Sequence, residues 1–329
     1  MSASGTLPSS ASRNSRLVEI VRNYGTVGIF LVLMVVASFW SDAFLTERNL
    51  MNVARQVASG HGIMAVGMLF VVLTRGIDLS VGSVAAVGAV LSAYLIATMG
   101  FSLPVTILLV LLSGVVSGTV TGFFVAYMKL PSFVISLAMM AIARGVSLIL
   151  SAGRPITIGP SGSALVDFGS GFFLGVPQPV VLMLIIFAIG GAVLTFTSFG
   201  RIVTAIGSNE EAVRLSGVPV RRYILAVYVI SGVLASVAGI VAAARTGIGT
   251  PQVGVGAELN VIAAVVIGGA SLMGGRGGMF NTLLGALILG IITNIMNLAG
   301  VPGYHQNVYL GLIIILAMLI QFVTARGRQ

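Results

Sequence analysis

The sequence predicts an all-α polytopic membrane protein of about ten transmembrane helices, some of them broken, with both termini in the cytoplasm. Three observations lead there. Of 329 residues, 57% are hydrophobic and 8% charged, whereas a soluble domain carries roughly a quarter charged residues. Apolar runs alternate with short polar segments along most of the chain. The basic residues fall mainly into every second connection, as expected when cytoplasmic loops collect Arg and Lys.

In chain order, Met1 to Asn23 is Ser-rich with Arg13, Arg16 and Arg22, and reads as a disordered cytoplasmic tail. Residues 24–325 form the transmembrane domain, and 326–329 a short cytoplasmic tail. Tyr24 to Trp40 is the first apolar run. Phe39-Trp40-Ser41 offers no small-x-small cleavage site, so an uncleaved span is expected rather than a signal peptide. Asp42 to Arg55 is a polar external connection and Val57 to Thr74 a second span. Arg75 to Ser83, reading RGIDLSVGS, then interrupts the apolar sequence. Ser80 or Ser83 is suited to cap the helix from Val84 to Thr98, with Asp78 favourably near its positive end.

Leu103 to Met128 is a fourth span, stopped at Lys129-Leu130-Pro131. Ser132 to Leu150 is a fifth, and its Arg144 needs a partner, water, or reach to the interface. Ser151 to Pro179 is a long external loop suited to seat an extracytoplasmic partner. Val180 to Phe199 and Ile224 to Ala244 are spans, joined by Gly200 to Tyr223, a polar loop in water bearing Arg201, Arg214, Arg221 and Arg222. Within it Asn209 to Leu215 has helix-forming composition, opened by Ser208 as N-cap and closed by Gly217 and Pro219. On residues alone this is a connection or a docking helix.

Arg245 to Ala257 is a Gly-rich external connection. Glu258 to Ala270 is apolar but too short to cross a bilayer alone, so it is a broken helix or needs its glycine-rich continuation through Gly278. Met279 to Leu298 and Tyr309 to Val323 with its upstream flank complete the count. With both ends inside, Arg13, Arg16, Arg22, Arg75, Lys129, Arg201, Arg214, Arg221, Arg222, Arg276, Arg326 and Arg328 lie at the cytoplasm, twelve against the four external residues Arg48, Arg55, Arg154 and Arg245. An internal echo relates Thr74-Arg75-Gly76-Ile77 with Val81-Gly82-Ser83 to Arg245-Thr246-Gly247-Ile248 with Gly254-Val255-Gly256. Inverted repeats with interrupted helices frame transport pathways.

Composition excludes several classes. The net charge of +9 is scattered between apolar runs rather than clustered with aromatics, so no nucleic-acid partner is expected. There is no cysteine for disulfides or thiolate ligands. No G-x-x-x-x-G-K-[ST] loop is present, and His61 and His305 are not spaced as a metal site. Neither an enzyme nor a cofactor or metal is expected. Polar groups within or beside spans, suited to a neutral hydroxylated solute, are Asp78, Ser80, Ser83, Asn260, Thr293, Asn294 and Asn297; singly, amides often just join helices.

Three stretches carry a resemblance: GIDLSVGS at 76–83, GSNEEAVRLSGV at 207–218, and AVVIGGASLMGGRGG at 264–278. Together they resemble the ribose-type permeases, the membrane subunits of bacterial ABC importers for simple sugars, over most of the chain from about Asn49. The resemblance implies a monosaccharide permease, multi-pass in the bacterial inner membrane. Its expected partners are an ATP-binding cassette subunit, a periplasmic sugar-binding protein, a second permease copy or related permease, and the lipid bilayer. It assigns coupling to the ATPase to Gly207, Ser208, Asn209, Glu210, Glu211, Ala212, Leu215, Ser216 and Gly217, and helix breaking near the pathway to Asp78 through Ser83. Related permeases for branched-chain amino acids or nucleosides remain alternatives. So does an ion-driven secondary transporter using Asp78 or Glu258 as its acid.

Overall fold

The computed structural model describes residues 11–326, with side chains for residues 25–313, 315 and 316. The helices are α1 (Ala11–Trp40), α2 (Glu47–Val57), α3 (Ile63–Leu73), α4 (Val81–Ala93), α5 (Leu103–Ala126), α6 (Ser132–Ser151), α7 (Ser163–Ser170), α8 (Gln178–Phe196), α9 (Ser198–Ser208), α10 (Glu210–Leu215), α11 (Val220–Thr246), α12 (Ala257–Ile267), α13 (Met279–Leu298) and α14 (Gly303–Arg326). Seven helical stretches among the described residues are long and apolar enough to cross a membrane. They are Glu47–Leu73, Val81–Thr98, α5, α6, α8, α11 and α13. Gly25–Trp40 and α12 are apolar but shorter.

Burial sorts these helices into a centre and a shell. Every residue of α3 is buried, as is all of α4 except Leu91, while α11 packs on α3, α4, α5 and α7. Small residues make that closeness possible: a Cβ on Gly114 of α5 would lie 2.4 Å from the Gly232 carbonyl of α11, and one on Gly232 2.3 Å from the Gly114 carbonyl. Backbones in contact gain dispersion that lipid cannot replace. Around this centre, α1, α5, α6 and α8 turn outward large apolar side chains such as Val32, Leu108, Ile142 and Ile189. A face like that belongs against hydrocarbon.

Several expectations are corrected. The first helix extends back to Ala11, into the segment expected to be a disordered tail, because the helical path of the apolar run simply continues; residues 1–10 lie outside the described residues. Asp42 to Arg55 is not a simple connection. Thr46 caps α2 by accepting from the Asn49 N–H, and α2 runs on through a π-helical turn, Ala58–Gly62, into α3. Gly200 to Tyr223 is mostly helical rather than loop, since Gly200, Val203, Ile206 and Gly207 of α9 form a buried stripe. The chain is also not wholly helical. β1 (Ile156–Thr157) pairs antiparallel with β4 (Ile248–Gly249), and β2 (Phe172–Phe173) with β3 (Val176–Pro177). Leu174 and Gly175 make the second hairpin's turn with φ of 52° and 79°, the left-handed pair that two-residue hairpins favour.

Candidate functional site

Two places gather the predicted residues: the polar segment after α8, and the breaks that precede α4 and α12. At the first, Thr197 starts α9 by accepting from the Gly200 N–H. The cap of α10 is Asn209, whose side-chain oxygen accepts from the Ala212 N–H at 3.0 Å, and not Ser208, which is the last residue of α9. Asn209 takes that role because its backbone is extended while Ser208 is still helical. The helix then ends as expected, with Gly217 at φ 84°.

No residue of α10 is buried. Glu211 accepts from Arg214 through both carboxylate oxygens, and this hydrogen bonding holds its carboxyl below the usual range. Leu215 is 73% exposed, while Val213 alone leans on the core. A six-residue helix has little intrinsic stability. Here it is held by its cap and its neighbours while offering two carboxylates, a guanidinium and a leucine outward.

Beneath α10 lies a junction that periodicity does not reveal. Arg75, at φ 65°, closes α3. Its Nε donates to the Gly207 carbonyl at 2.7 Å and the Met273 carbonyl at 3.0 Å, and its second terminal nitrogen donates to the Ser208 carbonyl at 2.9 Å. The Gly275 N–H donates to the Leu73 carbonyl at 3.0 Å. A Cβ on Gly207 would stand 1.8 Å from that same carbonyl, so no larger residue fits there without displacement.

At the second place, Asp78 is 2% exposed. It accepts from the Ser80 N–H at 3.0 Å, the Ser80 hydroxyl at 2.6 Å and the Ser231 hydroxyl of α11 at 2.7 Å. Ser80 stands at the N-cap position of α4 but makes no cap bond, because its hydroxyl is turned back to Asp78. The Ile77 N–H donates to Ser132 Oγ at 3.2 Å, and Ser136 Oγ donates to the Ile77 carbonyl at 3.3 Å. The break is thus tied to α6 and α11. Ser83 is buried in the first turn of α4.

The Gly-rich connection after α11 packs closely on α4. Gly249 lies against the Ala89 carbonyl and Ala93, and five residues later Gly254 lies against Gly82, each of these two glycines leaving its would-be Cβ 2.2 Å from the other's carbonyl oxygen. The two echoing stretches therefore meet back to back, each following a helix closed by a left-handed residue, Arg75 and Gly247. Arg144 donates to the carbonyls of Pro251 and Val253 in this run of turns. It gives donors to a stretch of irregular backbone. Glu258 of α12 also lies against Gly82.

The remaining candidates are placed as follows. Asn294 of α13 and Asn49 of α2 exchange side-chain hydrogen bonds at 2.8 and 2.9 Å. Asn297 is exposed and accepts from Gln306 of α14 at 2.8 Å. Asn260 and Thr293 are half-buried. Gly290, on the face shared by Thr293, packs on Val57 of α2. On the expected external side, a cavity of about 700 Å³ is lined by Thr46, Glu47, Asn49, Asn52, Arg55 and Phe172, with Arg55 4.5 Å above the Phe172 ring. Three residues of these places are not among the expected site residues: Arg75, which the sequence marks only as the start of the interrupting RGIDLSVGS stretch, and Asn49 and Ser231, which look like ordinary polar residues.

Comparison with known proteins gives a consistent result. Residues 49–321 match a family described as branched-chain amino acid transport system / permease component. The ribose import permease protein of Escherichia coli (strain K12) is 43% identical over 292 residues, covering 88% of this chain and 90% of that protein. The ribose import permease protein of Bacillus subtilis (strain 168) is 40% identical over 294 residues, 89% and 90% of the two. The L-arabinose ABC transporter permease protein of Azospirillum brasilense is 37% identical over 301 residues, 92% and 88%. No solved structure matches the chain.

Proposed function

The chain belongs to the family of transport-system permease components, and from that premise we propose that it is the membrane subunit of a bacterial ABC importer carrying a monosaccharide, ribose or a similar sugar, across the inner membrane. The family's description points to branched-chain amino acids, but it covers a broad group; relatives 37–43% identical over about nine-tenths of the chain are named for ribose and arabinose. The nearer likeness decides the substrate class. The chain is a transport subunit rather than an enzyme, and an ATP-binding cassette subunit supplies the energy.

The observation that carries the reading is α10: a capped helix with no buried residue, standing between two spans on an amphipathic base. Gly207 through Gly217 seat the ATPase there. With the seven long spans we count Gly25–Trp40, α12 with its turn-rich lead-in, and α14 as crossings, ten in all, which leaves both termini inside. Asp78, Ser80 and Ser83 shape the break beside the pathway, with Asn260, Thr293, Asn294 and Asn297 as further polar groups of the transmembrane domain. A sugar-binding protein delivers from outside, and a second copy or a related permease completes the pathway.

The test is coexpression with the genes encoded alongside, copurification in mild detergent, and ATPase assay in liposomes with sugar-loaded binding proteins. A stable complex whose hydrolysis rises with one loaded binding protein is expected. A lone protein that moves solute under an ion gradient instead favours a secondary transporter.

A further inference from the structure

We propose that Arg75 is a positioning residue of the transport cycle, the link through which movement of the coupling helix α10 reaches the interrupted helices inside the membrane; this rests on the importer reading above. Arg75 occupies a left-handed backbone conformation, φ 65°, that disfavours any residue with a Cβ and is most easily met by glycine. An arginine there is explained by its side chain. Its three acceptors are the carbonyls of Gly207 and Ser208, at the C-terminal end of α9, and of Met273. The last carbonyls of a helix lack intrahelical partners and carry partial negative charge, so a planar guanidinium with several fixed donors satisfies them where an ammonium would not.

The consequence is mechanical. Asn209, the cap of α10, follows Ser208 directly, so the base of the coupling helix is fastened to Arg75. The Arg75 Nε that holds the Gly207 carbonyl also holds that of Met273, and the Gly275 N–H holds Leu73, so three chain segments are packed backbone against backbone at this point. From there one route runs three residues to Asp78, which fastens to Ser231 of α11 at the break leading to α4. A second route runs from Met273 back to α12, whose other end meets α4 where Glu258 lies against Gly82. Displacement of α10 by the ATPase therefore reaches both interrupted helices at this junction, where the Arg75 side chain ties the packed segments together.

Arg75→Gly separates this role from a folding role, because glycine suits the left-handed backbone and removes only the side chain. Arg75→Lys is the second variant, keeping the charge and losing the fork. Both are assembled with the ATPase and binding protein in proteoliposomes, and sugar taken up per ATP hydrolysed is measured against wild type. The expected result is a fall of about tenfold or more in that ratio, within the usual range of coupling between sites, with stimulated hydrolysis kept within about twofold. Uptake and hydrolysis that stay together, both unchanged or both reduced, overturn the proposal. Should Arg75→Gly fail to assemble, the ratio measured for Arg75→Lys decides in the same way. A wild-type complex that takes up no sugar overturns the importer reading first, and this inference with it.

Discussion

At the scale of the residue, the buried polar groups around Asp78 hold a broken helix in place. Asp78 illustrates it: one carboxylate accepts three hydrogen bonds, two from Ser80 and one from Ser231. Its sequence context marked it correctly as sitting just before a helix start, where an acid is favourable. Its partner on α11 was not legible, because Ser231 is 153 residues away and lies in an apolar run with no local mark. Asp78→Asn keeps the shape and one acceptor oxygen, while Ser231 can rotate to accept. Asp78→Leu strands the Ser80 N–H. The expected losses are about 1 kcal/mol for Asn and roughly 1–3 kcal/mol more for Leu, read as thermal stability of the purified protein. Transport lost in a fully stable Asp78→Asn protein would instead mark a functional acid.

At the scale of the element, α10 and α12 are both too short for their apparent tasks, and in both cases context supplies the remainder. For α12, eleven residues span about 16 Å, roughly half the hydrocarbon core. Its shortness was legible in the composition; the packing of the turns that bring the chain to its start was not, since a Gly-rich stretch reads as surface loop until Arg144 and α4 are placed around it. For α10, helix composition and the Gly217 stop were readable, but the cap moved by one residue, to Asn209. Because Glu210 and Glu211 face solvent, reversing both charges, Glu210→Arg with Glu211→Arg, is expected to leave the protein in the membrane and to abolish uptake. Normal uptake by the reversed protein in a sugar-accumulation assay would remove α10 from the coupling mechanism.

At the scale of the whole molecule, the positive-inside bias and the tertiary packing agree on which elements lie together. Arg75, Gly207, Ser208 and Met273 meet at one end, while Arg55 and Phe172 meet at the proposed opposite one. The natural absence of cysteine makes this testable directly. Single cysteines at Ser216 and at Leu174, both on exposed positions, are expected to react with an impermeant maleimide from the cytoplasmic and the external face respectively. Labelling of both from the same face would refute the topology.

What the sequence determined by itself was membrane residence, most of the spans, their expected orientation and the kind of permease, because these depend on runs of residue type and on local motifs. The tertiary structure decided that α3, α4 and α11 form the centre, that two breaks meet at Gly82 and Gly254, and that Arg75 joins three segments. Those contacts depend on backbones brought together from distant parts of the chain through glycine and carbonyl groups. Such groups look alike wherever they occur in a sequence, so only their arrangement in space gives them distinct roles.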